Sequence, residues 1–455
     1  MPRADTFAAN PHWLPRVPDG ALDHLPGEDG WPFVGNTFRV LADPPGFLRG
    51  MVAKYGRVYR NNVFGGRAVM LLGADANELV LFDRDKVFSS EQGWGPTLNQ
   101  LFPRGLMLLD FDKHRAHRKT LSVAFKPEPM RLYAQALNEG IRDGVRAWSG
   151  QSFAFYPAIK QLTLQTAAAS FLGLPFGPEA DAINKAFVDM VQASVAPIRA
   201  PLPGTAMGRG VKGRKFLVDY FSREVPKRRS GDGDDMFSQF CRATDDEGRH
   251  LTDDEIVDHM NFLMMAAHDT ITSSASTVVM LLGRHPQWQE KLREEMAGLG
   301  VNGDDLPYER LGDLPLTEMA FKESLRMMPP VPSIPRRAIK PFSFGGYDFP
   351  AGTQVGINTD YVHHMAEHWP DPERFDPLRF TPEASRGRHK YAWVPFGGGA
   401  HMCLRLHFAY MQVKVLLWHM LRNHRIDLPA ASGAKWQAWP IPRPRDGLPI
   451  TLAAV

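Results

Sequence analysis

The stretch LTDDEIVDHMNFLMMAAHDTITSSASTVVMLLGRHP, running from Leu251 to Pro286, constrains the fold more than any other. Thr252 and Glu255 stand in capping-box spacing and open a helix. The run stays largely apolar until Gly283 and Pro286 stop it. A helix this long and this apolar is buried over most of its surface, so it crosses the middle of the molecule. Yet its centre carries His268, Asp269 and Thr270, polar groups that a pure core helix does not need.

Around that helix most segments read as helical. GRVYRNNVFGGRAVMLLG alternates about Gly65-Gly66, and FSFGGYDFPAGTQVGIN repeats the pattern about Gly345-Gly346, so each reads as a hairpin. The expected fold is mainly α with small β-sheets near both ends (α+β), formed as one unit over residues 1–455. Residues 1–45 read as an irregular lead-in, 46–75 and 331–360 as the β region, 252–284 as the long helix, and 396–422 as a loop with its following helix. With 53 Lys and Arg against 50 Asp and Glu, the formal charge of +3 argues against a nucleic-acid partner, and no block of like charge marks an interaction tail. Two cysteines make no disulfide framework, which points to a reducing compartment. The first 30 residues lack the apolar run of a signal peptide or membrane anchor. A soluble, cytoplasmic protein is expected.

One of the two cysteines stands in FGGGAHMCLRLHFA, Phe396–Ala409. Three glycines allow close approach of the backbone to something flat or bulky. The helical pattern after Cys403 puts the cysteine at or just before a helix N-terminus, which favours a thiolate. Four readings compete. A buried structural cysteine leaves the glycines unexplained. A phosphate loop lacks Gly-Lys-Ser/Thr, and Met402 occupies the third glycine position of GxGxxG. A zinc site from His401, Cys403 and His407 lacks a second ligand pair. An axial thiolate to haem iron is the fourth.

FGGGAHMC resembles the haem-thiolate signature of the cytochrome P450 family, Phe-x-x-Gly-x-His/Arg-x-Cys-x-Gly, through Phe396, Gly399, His401 and Cys403. Companion motifs follow in the family's order. Ala266–Thr270 (AAHDT) resembles the oxygen-activating helix motif, and ESLR supplies Glu323 and Arg326, three apart on one helix face. FDPLRF supplies Arg379, KHRAHRK supplies His114 and Arg118, and IPRRA supplies Arg336. The chain departs from the pattern at Ala267, where Gly is usual, at Leu378, where Glu is usual, and at Arg405, where Gly normally lets the helix lie close to the porphyrin. The resemblance implies that Arg405 points away or pushes the helix outward.

The resemblance implies a haem-thiolate monooxygenase carrying haem b (iron protoporphyrin IX), with Cys403 as metal ligand and the Phe396 loop beside it. Asp269 and Thr270 would relay protons, with Thr270 placing the oxygen-side group and Asp269 connecting it to solvent. A mid-helix Thr that merely bonds back one turn is the bland alternative. His268 should face elsewhere and make an ordinary hydrogen bond. His114, Arg118, Arg336 and His401 would clamp two propionates, although Arg337 competes with Arg336. Glu323, Arg326 and Arg379 would form a buried structural network. Cys241 reads as packing. Arg115, Lys119, Arg405, His407 and Lys414 would make a basic patch for an acidic electron-transfer protein, a ferredoxin or flavodoxin with its NAD(P)H reductase. The substrate would be an apolar small molecule lined by Ala266, Val331 and Ile334 among others, with the overall pattern resembling sterol- and retinoid-oxidising branches. A peroxide-driven peroxygenase and a haem-binding sensor or carrier are the alternative functions.

Overall fold

The computed structural model describes residues 13–455, apart from positions 19, 64, 65, 176, 197, 198 and 434. The lead-in over residues 1–12 and Gly65 of the first hairpin therefore lie outside the described residues.

The architecture is mainly helical with small sheets, as the periodicities predict. The central helix spans Asp253–Arg284 with Thr252 as its cap, and both halves of the capping box are made: the Thr252 hydroxyl accepts from the Glu255 N–H, and the Glu255 carboxylate accepts from the Thr252 N–H. It packs against the helices Phe155–Leu172, Ala206–Ser230 and Pro315–Met327. Most of it is buried, and several of the polar side chains it buries bond back to its own backbone: Asn261, Thr272, Ser274, Ser276 and Thr277 each donate to a carbonyl one turn earlier. The largest core cluster gathers this helix with Leu406–Leu421 and Pro127–Trp148.

A six-stranded sheet lies to one side, in the order Gly27–Glu28, Val58–Val63, Gly66–Leu71, Gln354–Asn358, Ser333–Ala338, Phe88–Ser89. It joins both ends of the chain: Val69 pairs in parallel with Val355, and Arg336 sits antiparallel to Val355. The first expected hairpin is there, with Val63 opposite Gly66. The second pairs Phe342–Phe344 with Tyr347–Phe349, and Gly345 and Gly346 turn it at φ +61° and +83°, left-handed values that favour glycine. A second core cluster, with Val69, Leu81, Val355, Ile357 and Val394, fills the space between this sheet and the segment leading into the cysteine loop. Among the described residues, no helix is long and apolar enough to cross a membrane.

Candidate haem-thiolate site

The loop before Cys403 is built by glycine. Gly397 and Gly399 take φ +71° and +60°. A Cβ on Gly399 would lie 1.9 Å from the Leu81 carbonyl oxygen, so the loop can press against the helix Ala74–Phe82 only because that position has no side chain. The Cys403 N–H donates to the Phe396 carbonyl at 2.9 Å and closes the loop on itself. The sulfur in turn accepts from the Arg405 N–H. Burial pushes the Cys403 thiol up, and that N–H with the Arg405 and Arg118 guanidinium groups works against the burial. A half-buried sulfur facing backbone N–H groups and cations at the head of the helix Leu406–Leu421 is a metal-ligand arrangement.

Beside it lies a cluster of cationic and imidazole groups. His114, on the helix Phe111–Leu121, stacks on His401 with ring centroids 3.9 Å apart. Burial, with Arg118 and Arg336 nearby, lowers His114 to about 4; burial, with Arg336 and His114, lowers His401 to about 2. Arg336 is 5% exposed and burial lowers it to about 10. Among the described residues, its guanidinium donates to the carbonyl of its own neighbour, Pro335. Among the described residues, none of His114, Arg118, Arg336 and His401 is paired with a carboxylate. Two buried or half-buried cations, Arg118 and Arg336, lie with two imidazoles that burial keeps neutral, and Asp110 and Asp83 act on Arg336 without outweighing its burial; such a cluster fits a ligand that brings two carboxylates. Haem is such a ligand. Arg337, the competitor, points the other way and donates to the Gly352 carbonyl at 3.2 Å.

On the central helix the Thr270 hydroxyl donates to the Ala266 carbonyl at 3.0 Å. Asp269 does something the sequence did not suggest: its carboxylate meets the Lys160 ammonium at 3.0 Å. Burial pushes Asp269 up, but His268 and Lys160 outweigh it and hold the carboxyl below its ordinary value. His268 is buried, with Nδ1 3.3 Å from the Met264 carbonyl and Nε2 3.5 Å from Asp269, an ordinary core placement as expected. Phe262, Met265, Ala266, Asp269 and Thr270 are only half-buried, whereas most of their neighbours on this helix are fully buried.

Glu323, Arg326 and Arg379 come together with almost no exposure. Arg326 holds Glu323 in two parallel bonds of 2.7 and 2.9 Å, and Arg379 reaches the same carboxylate at 3.2 Å. The arginines then bind the chain between His363 and Arg374 through carbonyls: Arg326 donates to His363 and Pro372, and Arg379 to Asp371. His363, which sequence reasoning missed, carries the link to the cysteine loop, because its Nε2 accepts from the Val394 N–H at 3.0 Å.

The proposed basic patch is not assembled as expected. Lys414 is 4% exposed and bonded to Glu318 and the Leu311 carbonyl, because its helix turns that position inward. Arg405 lies over the rings of Phe171 and Phe408, at 4.4 and 5.0 Å. That leaves Arg115, Lys119 and His407 exposed, with Lys119 paired to Asp246. Arg405 therefore takes the first of its two expected courses: it turns away into an aromatic wall. Of the proposed pocket residues, Ala266 and Val331 are half-buried, while Ile334 packs in the sheet cluster. Cys241 is buried, and burial holds its thiol at about 12, as a packing role requires.

The family model for cytochrome P450 matches residues 25–438. A putative cytochrome P450 136 of Mycobacterium tuberculosis is 36% identical over 447 residues, covering 96% of this chain and 89% of its own length. A beta-amyrin 28-monooxygenase of Solanum lycopersicum is 28% identical, over 94% of this chain and 92% of its own. Among solved structures, the retinoic acid-bound cyanobacterial CYP120A1 superposes with a TM-score of 0.87 at 28% identity, covering 95% of this chain and 99% of that one.

Proposed function

Because the chain belongs to the cytochrome P450 family and is a haem-thiolate monooxygenase, we propose that it acts on an apolar isoprenoid-type small molecule, with haem b held by Cys403 and electrons supplied by a separate ferredoxin or flavodoxin. The observation that carries the haem reading is the juxtaposition of the Cys403 sulfur with the cluster of His114, Arg118, Arg336 and His401, none of which is ion-paired to a carboxylate among the described residues. When bound, haem supplies oxygen activation and the transfer of one oxygen atom to substrate.

The chain's residues set the conditions for that chemistry. Cys403 would ligate the iron, with the Arg405 N–H steadying negative charge on sulfur. His114, Arg118, Arg336 and His401 would bind the propionates and fix the ring in its plane. Thr270 would hold a proton donor in the oxygen pocket. Asp269, one position earlier, would take protons from solvent and hand them on. Half-buried Phe262, Met265 and Ala266 offer an apolar wall on the same helix. The isoprenoid class rests on the relatives, one a beta-amyrin monooxygenase and one solved with retinoic acid.

The test is spectroscopic. The reduced protein with carbon monoxide should show the red-shifted Soret band of a thiolate complex, and Cys403→Ser should abolish it. A screen of retinoids, triterpenoids and diterpenoids by spin-state shift should then find binders. A band at the position of a neutral ligand would overturn the thiolate assignment, and a screen answered only by fatty acids or small aromatics would overturn the isoprenoid one.

A further inference from the structure

Two histidines outside the site meet in the core. His117 lies on the helix Phe111–Leu121, between His114 and Arg118 of the propionate set, and His259 lies on the central helix. Nδ1 of His117 and Nε2 of His259 stand 2.8 Å apart, and the two rings meet edge-on. Both residues are buried, at 8% and 2% exposure. Glu255, four positions before His259 and so on the same helix face, places a carboxylate oxygen 3.5 Å from His117 Nε2. On the far side, His259 Nδ1 is buried and, among the described residues, has no hydrogen-bond partner. The charged and titratable groups acting on the pair are Glu255 from the central helix, and Lys113 and His114 from the Phe111–Leu121 helix.

The carboxylate fixes the direction of this file. Only when His259 Nε2–H donates to His117 Nδ1 does His117 turn an N–H, from Nε2, toward Glu255; the reverse sets a bare nitrogen against a carboxylate oxygen. The neutral pair thus runs from His259 through His117 to Glu255 and leaves a bare nitrogen at His259 Nδ1. A further proton has no good place in it. Taken by His117 at Nδ1, it meets the N–H of His259 Nε2. Relieving that contact means either moving the His259 proton to Nδ1, where it becomes a buried donor with no acceptor among the described residues, or parting the rings. Burial accordingly lowers both imidazoles, His259 to about 3, and Glu255 is the group that favours charge on His117.

Resting on the haem and propionate assignment above, we propose that the His117–His259 pair is an acid-sensitive clasp: while both rings are neutral it holds the helix that carries His114 and Arg118 on the central helix, and a proton taken by His117 parts the rings and loosens the hold on the propionates. His117 and His259 are positioning residues, acting on haem through the helix and not by touching it. The proton comes from solvent and forms an N–H bond at His117 Nδ1; no electron moves. The clasp is whole above the ordinary imidazole range, about pH 6.5, and opens as pH falls below it toward the lowered value of His117.

The experiment uses the haem-loaded protein. Samples are held for a fixed time at pH values from about 7.5 to about 4, returned to neutrality, freed of released haem on a desalting column, and assayed for haem content and for the thiolate band of the carbon monoxide complex. Circular dichroism at each pH separates haem loss from unfolding. Wild type should lose haem with a midpoint below about pH 6.5 while its helix signal is retained. His259→Gln is the deciding variant. Its amide N–H can donate to His117 Nδ1 as the imidazole does, and once His117 is protonated its amide oxygen can turn to accept, so the link survives the proton. H259Q should keep haem at neutral pH and move the midpoint down by about one pH unit or more. His259→Leu, which cannot link at any pH, should release haem several-fold faster than wild type already at about pH 7.5. An H259Q midpoint equal to that of wild type overturns the clasp, and so does wild-type retention by H259L; the pair is then core filling alone. Haem loss in wild type that only accompanies unfolding overturns it too. Wild-type protein without a thiolate band at neutral pH overturns the haem assignment and the clasp with it, so the two failures are told apart. His117→Asn, whose amide oxygen takes the place of Nδ1, carries the same test with the same expected shift if H259Q does not load haem.

Discussion

The guanidinium of Arg405 sits 4.4 Å above the ring of Phe171, two residues after the cysteine that would bind iron. The backbone there has φ −101°, which any residue adopts, so the position does not need glycine once the side chain has an aromatic wall to lie on. Among the described residues Arg405 Nε has no hydrogen-bond partner, so the ring faces carry much of the contact. Arg405→Met keeps the volume and removes a buried cation. It should leave the melting temperature unchanged or raised and keep the thiolate band of the carbon monoxide complex. Phe171→Ala removes a fully buried ring and should cost about 3–5 kcal/mol in urea unfolding. A lost thiolate band in the Met variant would show that the charge itself supports the sulfur.

Glu323 neutralises two arginines at once, and both then hold the chain that leads to the cysteine loop. Glu323→Gln keeps the shape but strands two buried cations, so a loss of about 3–5 kcal/mol is expected, together with poor haem content on expression. Arg379→Ala should be milder, because Arg326 still pairs with the carboxylate through two bonds. Denaturation midpoints of the two variants, compared with their haem-to-protein ratios, would check this ordering.

The parts of this site that were legible in the sequence are those whose chemistry depends on local spacing. The capping box, the Gly-Gly hairpin at Gly345, the Glu323 and Arg326 pair and the glycine loop each declare themselves within a few residues. The partners of those groups were not legible. Lys160 belongs to Asp269, and His363 belongs to Val394, only because distant helices and loops are brought together by packing. Lys414 and Arg405 misled for a related reason: a charged letter near a surface motif says nothing about which way its helix turns it.

Removing either arginine of the haem cluster should weaken haem retention rather than folding. Arg118 and Arg336 have burial costs that their neighbours, Cys403 for the first and Asp110 and Asp83 for the second, do not outweigh, so the haem-free protein should tolerate Arg336→Leu with little change in stability. Transfer of haem to an acceptor such as apomyoglobin should be at least about tenfold faster from that variant, the equivalent of about 1.4 kcal/mol of lost binding. Equal transfer rates would remove Arg336 from the propionate set.

Acid should destabilise the protein well before its carboxylates titrate. Burial lowers His259 and His363 to about 3 and His419 to about 4. Each imidazole is therefore neutral in the fold, where His363 accepts from Val394 and His259 shares a 2.8 Å bond with His117. The unfolded chain protonates them from about pH 6.5 downward, while the folded chain does not until its lowered values are reached. Stability is thus full above about pH 6.5 and is lost as pH falls toward about 3, by several kcal/mol in total. Melting temperatures measured from about pH 7.5 to about pH 4.5 should fall steadily; a flat profile down to about pH 5 would contradict this account.

Gly397 and Gly399 both lie in left-handed backbone, yet they should respond differently to alanine. At Gly397 the nearest atom to a new Cβ is the His401 carbonyl oxygen at 3.8 Å, so the change meets ordinary contact and costs about 1–2 kcal/mol for the conformation alone. At Gly399 the same methyl group would lie 1.9 Å from the Leu81 carbonyl oxygen and 2.8 Å from its carbonyl carbon, both backbone atoms that cannot rotate aside. The loop must then lift from the helix Ala74–Phe82, carrying His401 and Cys403 with it. Gly399→Ala should therefore lose most of its bound haem while Gly397→Ala retains it. Haem-to-protein ratios and the thiolate band measured side by side read the difference, and equal behaviour of the two variants would mean that the close approach at Leu81 does not govern where the cysteine sits.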